Sequence, residues 1–257
     1  MDDGLRLKDK VVIVTGGCSG IGKGVVDIFI ENGGTVVVFD INDEIGNSLS
    51  VQGPGKILYK HCDVTKEDEI KKCIAETIEA FDRIDCVIND VGYFPGGHII
   101  NDVTSDLFRR VLDVNLVSQF TMCKYALPYI RQTKGSIVNM SSISGVIGTA
   151  ASFTYSAAKG GVISFTKALA IDEAKNGVRV NAIAPGAVST PMLNDFLEKS
   201  GKFDEAASVV KGYNHLKRIA DPKEIGKACL FLAVDATFTT GEVLMCSAGN
   251  EIGYGVK

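Results

Sequence analysis

Val11-Val12-Ile13-Val14-Thr15-Gly16-Gly17-Cys18-Ser19-Gly20-Ile21-Gly22 sets four β-branched apolar residues directly before a glycine-rich turn. An unbroken apolar run of this length predicts a strand buried on both faces of a parallel sheet. An apolar helical pattern follows over 20–32 and stops at Gly33-Gly34. Thr35-Val36-Val37-Val38-Phe39, ending at Asp40, then predicts a second strand, which completes one βαβ unit.

The same alternation recurs along the chain. Strands are expected at 56–61, 84–89, 136–140, 178–183 and 243–246, and helices over 66–81, 104–131 and 152–175. Thr65 with Asp68 three residues on resembles a capping box opening the helix over 66–81. Seven strands interleaved with six helical segments predict an α/β protein. The expected architecture is a single-domain, Rossmann-type, doubly wound and mostly parallel sheet, with helices on both faces and spanning residues 1–257. The segment 190–221 breaks the rhythm with weak periodicity, and is expected to be a substrate loop or a surface insertion.

Composition narrows the function. A net charge of -4 without a long basic run gives no electrostatic reason to expect nucleic acid or an anionic membrane as partner. The 7 Cys show no CxxC pair and no clustering with the 3 His, which argues against a disulfide framework or metal site and for a reducing compartment. His98 and His215 have no carboxylate or Cys at ligand spacing. No signal-type apolar segment and no run of about 18 apolar residues is present, so a cytoplasmic protein acting on a small molecule is expected. The final Gly255-Val256-Lys257 matches no lipidation or peroxisomal tail.

The turn between the first strand and helix can meet a pyrophosphate with backbone N–H groups, because Gly16, Gly20 and Gly22 let the chain approach closely. Asp40 stands eighteen residues after Gly22, where an acid accepts hydrogen bonds from a ribose hydroxyl and repels a 2′-phosphate. Neither Ser19 nor Ile41 supplies a cation, and Lys23 is expected to lie along the helix, so NAD is favoured over NADP. Asp40 also suits a helix N-cap position ahead of Asn42. Farther on, Tyr155-Ser156-Ala157-Ala158-Lys159 puts a phenol and an ammonium on one helix face. A cation beside a phenol favours the phenolate, so Lys159 is expected to lower the Tyr155 pKa.

With the glycine turn, Asp40 and Tyr155-x-x-x-Lys159 in this order, the chain resembles the classical short-chain dehydrogenase/reductases over nearly its whole length. The resemblance implies cofactor contacts at Gly16, Cys18, Ser19, Gly20, Ile21, Gly22, Asp40 and Ile41, and on the adenine side at Asp63 and Val64. It implies further contacts at Asn89, Val91, Gly92, Tyr155 and Lys159, and a nicotinamide-side loop at Pro185, Gly186, Val188 and Thr190. Ser142, thirteen residues before Tyr155, is similar to the family's catalytic Ser, with Ser141 its rival. Asn115 is similar to its proton-relay Asn, placing a water that links Lys159 to solvent.

The implied reaction is hydride transfer between a secondary alcohol carbon and the nicotinamide, with Tyr155 handling the proton and Ser142 holding the substrate oxygen. Lys159 would also bind the nicotinamide ribose. The chain departs from the family's Asn-Asn-Ala-Gly at Asn89-Asp90-Val91-Gly92, which puts catalytic efficiency in question. Tyr93, Phe94, Thr149, Phe153, Met192, Leu193 and Phe196 are candidates for the substrate wall. The expected substrate is a hydroxysteroid-type alcohol, because Asn194, Thr149 and Tyr93 offer few polar partners. The alternatives are a sugar dehydrogenase, such as one acting on L-fucose, and a catalytically weak NAD-binding scaffold or sensor. The family habit implies a homotetramer.

Overall fold

The computed structural model describes residues 4–50 and 52–252. Residues 1–3 and 253–257, on which parts of the N- and C-terminal readings fall, lie outside the described residues. One sheet of seven strands runs in the order β3-β2-β1-β4-β5-β6-β7, and every pairing in it is parallel. The strands are β1 (Val11–Thr15), β2 (Thr35–Asp40), β3 (Lys56–His61), β4 (Cys86–Asn89), β5 (Ser136–Met140), β6 (Arg179–Pro185) and β7 (Val243–Cys246).

The unbroken apolar run of β1 follows from burial on both faces. Val12 and Val14 enter the core formed with α1 (Gly20–Glu31) and α9 (Pro222–Leu230). Val11 and Ile13 point the other way, toward α3 (Glu67–Phe81), α5 (Ser118–Thr133) and α6 (Phe153–Ala174). Alternation of side chains along a strand thus divides one run between two cores. Strand order reverses between β1 and β4, and such a switch point opens a crevice at the carboxyl ends of the strands.

Several boundaries differ from the sequence expectation. Ile84 and Asp85 lead into β4 rather than belonging to it, and the buried Asp85 carboxylate accepts from the Val11 amide at 2.9 Å and from Arg83. The helix expected over 104–131 is two helices, α4 (Ser105–Leu112) and α5, separated by a wider π turn at Asp113–Val117 that contains Asn115. Thr65 does not cap α3, since its hydroxyl donates to Asp63 Oδ1 at 2.7 Å and Lys66 takes the N-cap position. Asn42, not Asp40, caps the short α2 (Asp43–Ser48), accepting from the Ile45 amide.

The segment 190–221 carries two helices where the sequence showed weak periodicity, α7 (Pro191–Lys199) and α8 (Phe203–Gly212). The signal was local: Thr190 accepts from the Leu193 amide as N-cap, with Pro191 at the first helical position. With α2 and α9 these make nine α-helices among the described residues, against six helical segments expected.

The base of the excursion is laced shut. Ser189 N donates to Ala220 O and Ala220 N to Ala187 O. Beyond it, α9 opens with a capping box from Asp221 and Glu224. It then packs against α1 so closely that a Cβ on Gly24 would stand 2.5 Å from the Pro222 carbonyl carbon. The segment is therefore anchored at its root.

Candidate active site

The turn after β1 is shaped by its glycines. Gly16 and Gly20 have φ of 72° and 54°, in the left-handed region, and the Gly16 amide donates to Phe39 O at 2.8 Å. A Cβ on Gly22 would lie 2.2 Å from the Gly16 carbonyl oxygen, so a side chain there would collapse the turn. Asp40 ties this turn to β2, one carboxylate oxygen accepting from Cys18 N and the other from Asn42 N, each at 3.0 Å. The result is a backbone cradle at a helix N-terminus with a fixed acid at its edge, and these residues fit a dinucleotide. Asp63 organises the adjoining loop by accepting from the amide and hydroxyl of Thr65.

The catalytic candidates meet across the end of β5. Ser141 and Ser142 leave that strand, and the sequence could not separate them by type. Both border the cleft, but Ser141 is buried with its hydroxyl committed to Lys159 O at 2.8 Å, whereas Ser142 is half-buried and accepts from Ser144 N at 3.1 Å. Close packing of α6 on the turn after Ser142 requires Gly145, whose Cβ would stand 2.6 Å from the Lys159 carbonyl carbon. The Lys159 ammonium is 5.6 Å from the Tyr155 ring centroid, as the spacing of four residues predicts.

The electrostatics differ from the sequence expectation. Burial pushes the Tyr155 phenol up to about 12, and the opposing influence is the hydrogen bond from Ser142 rather than the charge of Lys159. Lys159 is itself 1% exposed, donates to Met140 O at 2.8 Å, and is driven down to about 8 by burial, with Asp90 working the other way. Asp90 is pushed up to about 7 by burial, against the pull of Lys159 and the Gly22 amide. The departure from the family pattern has therefore placed a second ionisable group beside the lysine.

Asn115 is buried and does not line the cleft. Its amide donates to Tyr93 O at 2.8 Å and Val111 O at 2.9 Å, and its oxygen accepts from Tyr93 N, so it pins the loop after β4. Gly92 passes between it and the lysine: a Cβ there would lie 3.3 Å from Asn115 Oδ1 and 3.6 Å from Lys159 Nζ.

A single cleft of about 1390 Å³ joins the two ends. At the far end Phe94 stands edge-on to Tyr155 at 5.5 Å and to Phe196 of α7 at 5.9 Å, which links α7 to the Tyr155 phenol. Thr149 Oγ1 donates to Ser144 Oγ at 3.1 Å in the same wall.

Residues 16–251 match the family described as enoyl-(acyl carrier protein) reductase. The L-fucose dehydrogenase of Bos taurus is 40% identical over 256 residues, covering 99% of this chain and 94% of that protein. The chain belongs to the classical short-chain dehydrogenase/reductases. A 2,5-dichloro-2,5-cyclohexadiene-1,4-diol dehydrogenase of Sphingobium indicum is 36% identical, covering 95% of this chain and 97% of that one. The aldohexose dehydrogenase structure of Thermoplasma acidophilum superposes with a TM-score of 0.90 at 30% identity, covering 98% of each chain.

As a short-chain dehydrogenase/reductase the protein is an oxidoreductase of CH–OH groups with a nicotinamide cofactor. Of the cofactor positions read from the sequence, the structure sets Gly16, Cys18, Ser19, Gly20, Ile21, Asp40, Ile41, Asp63, Val64, Val91, Gly92, Pro185, Gly186, Val188 and Thr190 on the cleft. Gly22 and Asn89 lie behind it. Gly22 shapes the turn from underneath, and Asn89 donates to Asn139 on β5 at 2.8 Å.

Of the residues expected to form the substrate wall, Tyr93, Phe94, Thr149, Met192, Leu193 and Phe196 line the cleft, whereas Phe153, which opens α6, does not. Asn194 is also outside the lining. Ser144, Asn214 and Asn250 belong to the wall and were missed, since sequence distance hides residues brought in by loops after β5, α8 and β7. Asn214 gives its amide to Arg218, which leaves Ser144 and Asn250 as the polar additions to the expected Thr149.

Proposed function

We propose that this protein is an NAD-dependent dehydrogenase that oxidises a secondary hydroxyl of a monosaccharide of the L-fucose class. The observation that carries the reading is the hydroxyl pair of Ser144 and Thr149 in the wall shared with Tyr155. A sugar presents several hydroxyls that need partners, and a wall of hydroxyl and amide groups supplies them where a steroid would leave them unpaired. The L-fucose dehydrogenase relatives support this substrate class over the hydroxysteroid expectation. Scaffold segments such as Ala126-Leu127-Pro128-Tyr129-Ile130-Arg131 resemble 17β-hydroxysteroid dehydrogenase type 14, but this one belongs to α5 and lies outside the cleft lining. Preference for NAD is supported by Asp40 at the end of β2 and by Lys23, whose ammonium is paired with Asp27 at 2.5 Å along α1.

A bound nicotinamide supplies the hydride acceptor. Tyr155 takes the proton of the substrate hydroxyl, and Ser142 holds the substrate oxygen while stabilising the phenolate. Lys159 holds the ribose side of the site from its seat on Met140 O. Asn115 acts by fixing the Tyr93 loop, and the flap 190–221 closes over the substrate. With NAD+, aldoses of the L-fucose type are expected to give NADH with kcat/KM at least ~100-fold above steroid 17-alcohols and above the same aldoses with NADP+. Turnover of steroid alcohols alone would overturn this reading, and tight NAD binding without turnover of any alcohol would favour the scaffold.

The protein is further proposed to be a cytoplasmic homotetramer. Among the described residues no helix is long and apolar enough to cross a membrane. The exposed Val117 and Phe120 on the α5 side, and Phe231 and Phe238 before β7, are apolar surface of the kind that subunits cover. Light scattering is expected to give four times the chain mass, and a clean monomer would refute the assembly.

A further inference from the structure

Asp90 stands at the switch point of the sheet, after β4 and beneath the glycine turn. Its backbone amide donates to Thr15 Oγ1 of β1 at 3.0 Å, which fixes how the residue leaves the strand. Its Oδ2 lies 2.9 Å from the point a Cβ on Gly22 would occupy, and the Gly22 amide is its backbone hydrogen-bond partner. The carboxylate thus reaches under the glycine turn, and the chain just after it passes Lys159, since a Cβ on Gly92 would lie 3.6 Å from Lys159 Nζ and 3.8 Å from Asp90 O. Charged and titratable groups surround it on each packed element. Lys159 of α6 draws it toward the ionised form, and Asp40 of β2 opposes ionisation. The Tyr155 phenol and the Cys229 thiol of α9 are in turn pushed up by it.

Lys159 has Asp90 as the charge acting on it and the Met140 carbonyl as its hydrogen-bond acceptor. An uncharged amide in place of Asp90 would leave the full field of a buried ammonium facing the nicotinamide site. The oxidised and reduced cofactors share the same pyrophosphate and riboses and differ by one positive charge on the ring. Any fixed charge near that ring therefore appears in the ratio of their affinities, while contacts common to both cancel.

We propose that Asp90 is a positioning residue that offsets the field of Lys159 and thereby shifts the enzyme's preference toward the oxidised cofactor, poising it for alcohol oxidation. The inference rests on the nicotinamide cofactor of the proposed function and holds for either substrate class. It gives the departure from Asn at this position a function where the sequence suggested only a defect.

The test is the ratio Kd(NADH)/Kd(NAD+), measured by calorimetry without substrate for the native protein and for Asp90→Asn. At pH 7.5 the ratio is expected to be about threefold or more higher in the native protein. Lowering the pH from 7.5 to 5.5 protonates Asp90 and completes the protonation of Lys159, so the native ratio falls, and falls more steeply than that of Asp90→Asn, where only Lys159 titrates. The native pH series needs no variant, so it stands even if Asp90→Asn folds poorly. The exposed His61 beside Asp43, at the adenine end, acts on both cofactors alike and drops out of the ratio. A merely structural role would weaken both forms equally. Equal ratios in the two proteins, or the same pH slope in both, would overturn the proposal. Failure of both cofactors to bind the native protein would overturn the cofactor reading with it.

Discussion

Tyr155→Phe is expected to lower kcat at least ~10³-fold while leaving NAD affinity within about twofold, because proton transfer by a positioned side chain contributes that much and the ring stays in place. The phenyl ring keeps its edge contact with Phe94 and its place over the Lys159 ammonium. Only the hydroxyl that hydrogen-bonds with Ser142 is lost. Steady-state kinetics together with cofactor titration separate the two effects. Turnover within tenfold of native would remove Tyr155 from the proton path.

Lys159→Met is expected to abolish turnover to a similar degree and yet to stabilise the fold at pH 7. The physical reason is that the ammonium is buried, with its pKa driven from 10.5 down to about 8. Holding the proton in the folded state below that pH costs ~3 kcal/mol relative to the unfolded chain. A thioether of similar length avoids this, and losing the hydrogen bond to Met140 O returns about 1 kcal/mol. The net gain at pH 7 is ~1–2 kcal/mol, read from the urea midpoint.

The sign of the pH dependence follows from the same shift. Between pH 8 and 10.5 the unfolded chain binds more protons at this site than the folded one, so native stability rises with pH. The advantage of Lys159→Met therefore shrinks toward pH 10. A lower urea midpoint for the variant at pH 7 would contradict the cost assigned to the buried charge.

Much of the fold was legible because its signals are short. The β-branched run before Gly16 and the stop at Gly33-Gly34 depend on a few neighbouring residues, and the strands they predict were found at or within a residue or two of their places. The Ser142 offset, the Tyr155 to Lys159 spacing and the glycine turn were legible for the same reason. The helices over 190–221 were harder, since their apolar residues Met192, Leu193, Phe196 and Val210 line the cleft rather than enter either buried core. There the only strong local sign was Thr190-Pro191.

Other features had no local signature. Thr65 looked like a cap but serves Asp63, because the loop at the adenine end turns on the acid's own carboxylate. The polar wall joins Ser144 and Thr149, from the one connection after β5, to Asn250 from beyond β7, so no window of sequence holds all three together. Asp90 read as a loss of amide donors until its position under Gly22 and beside Lys159 was known.

The sequence by itself determined the alternation of strands and helices, the glycine turn and the residues of the candidate catalytic set, since backbone period, glycine sterics and residue spacing act over a few positions. Only the tertiary structure decided the charge states of that set and the character of the substrate wall. Exclusion of water by distant parts of the chain raises Tyr155 and Asp90 and lowers Lys159, and the return of remote loops sets hydroxyls beside aromatic rings. Desolvation and enclosure are properties of the whole packed molecule, so they have no expression in any one stretch of it.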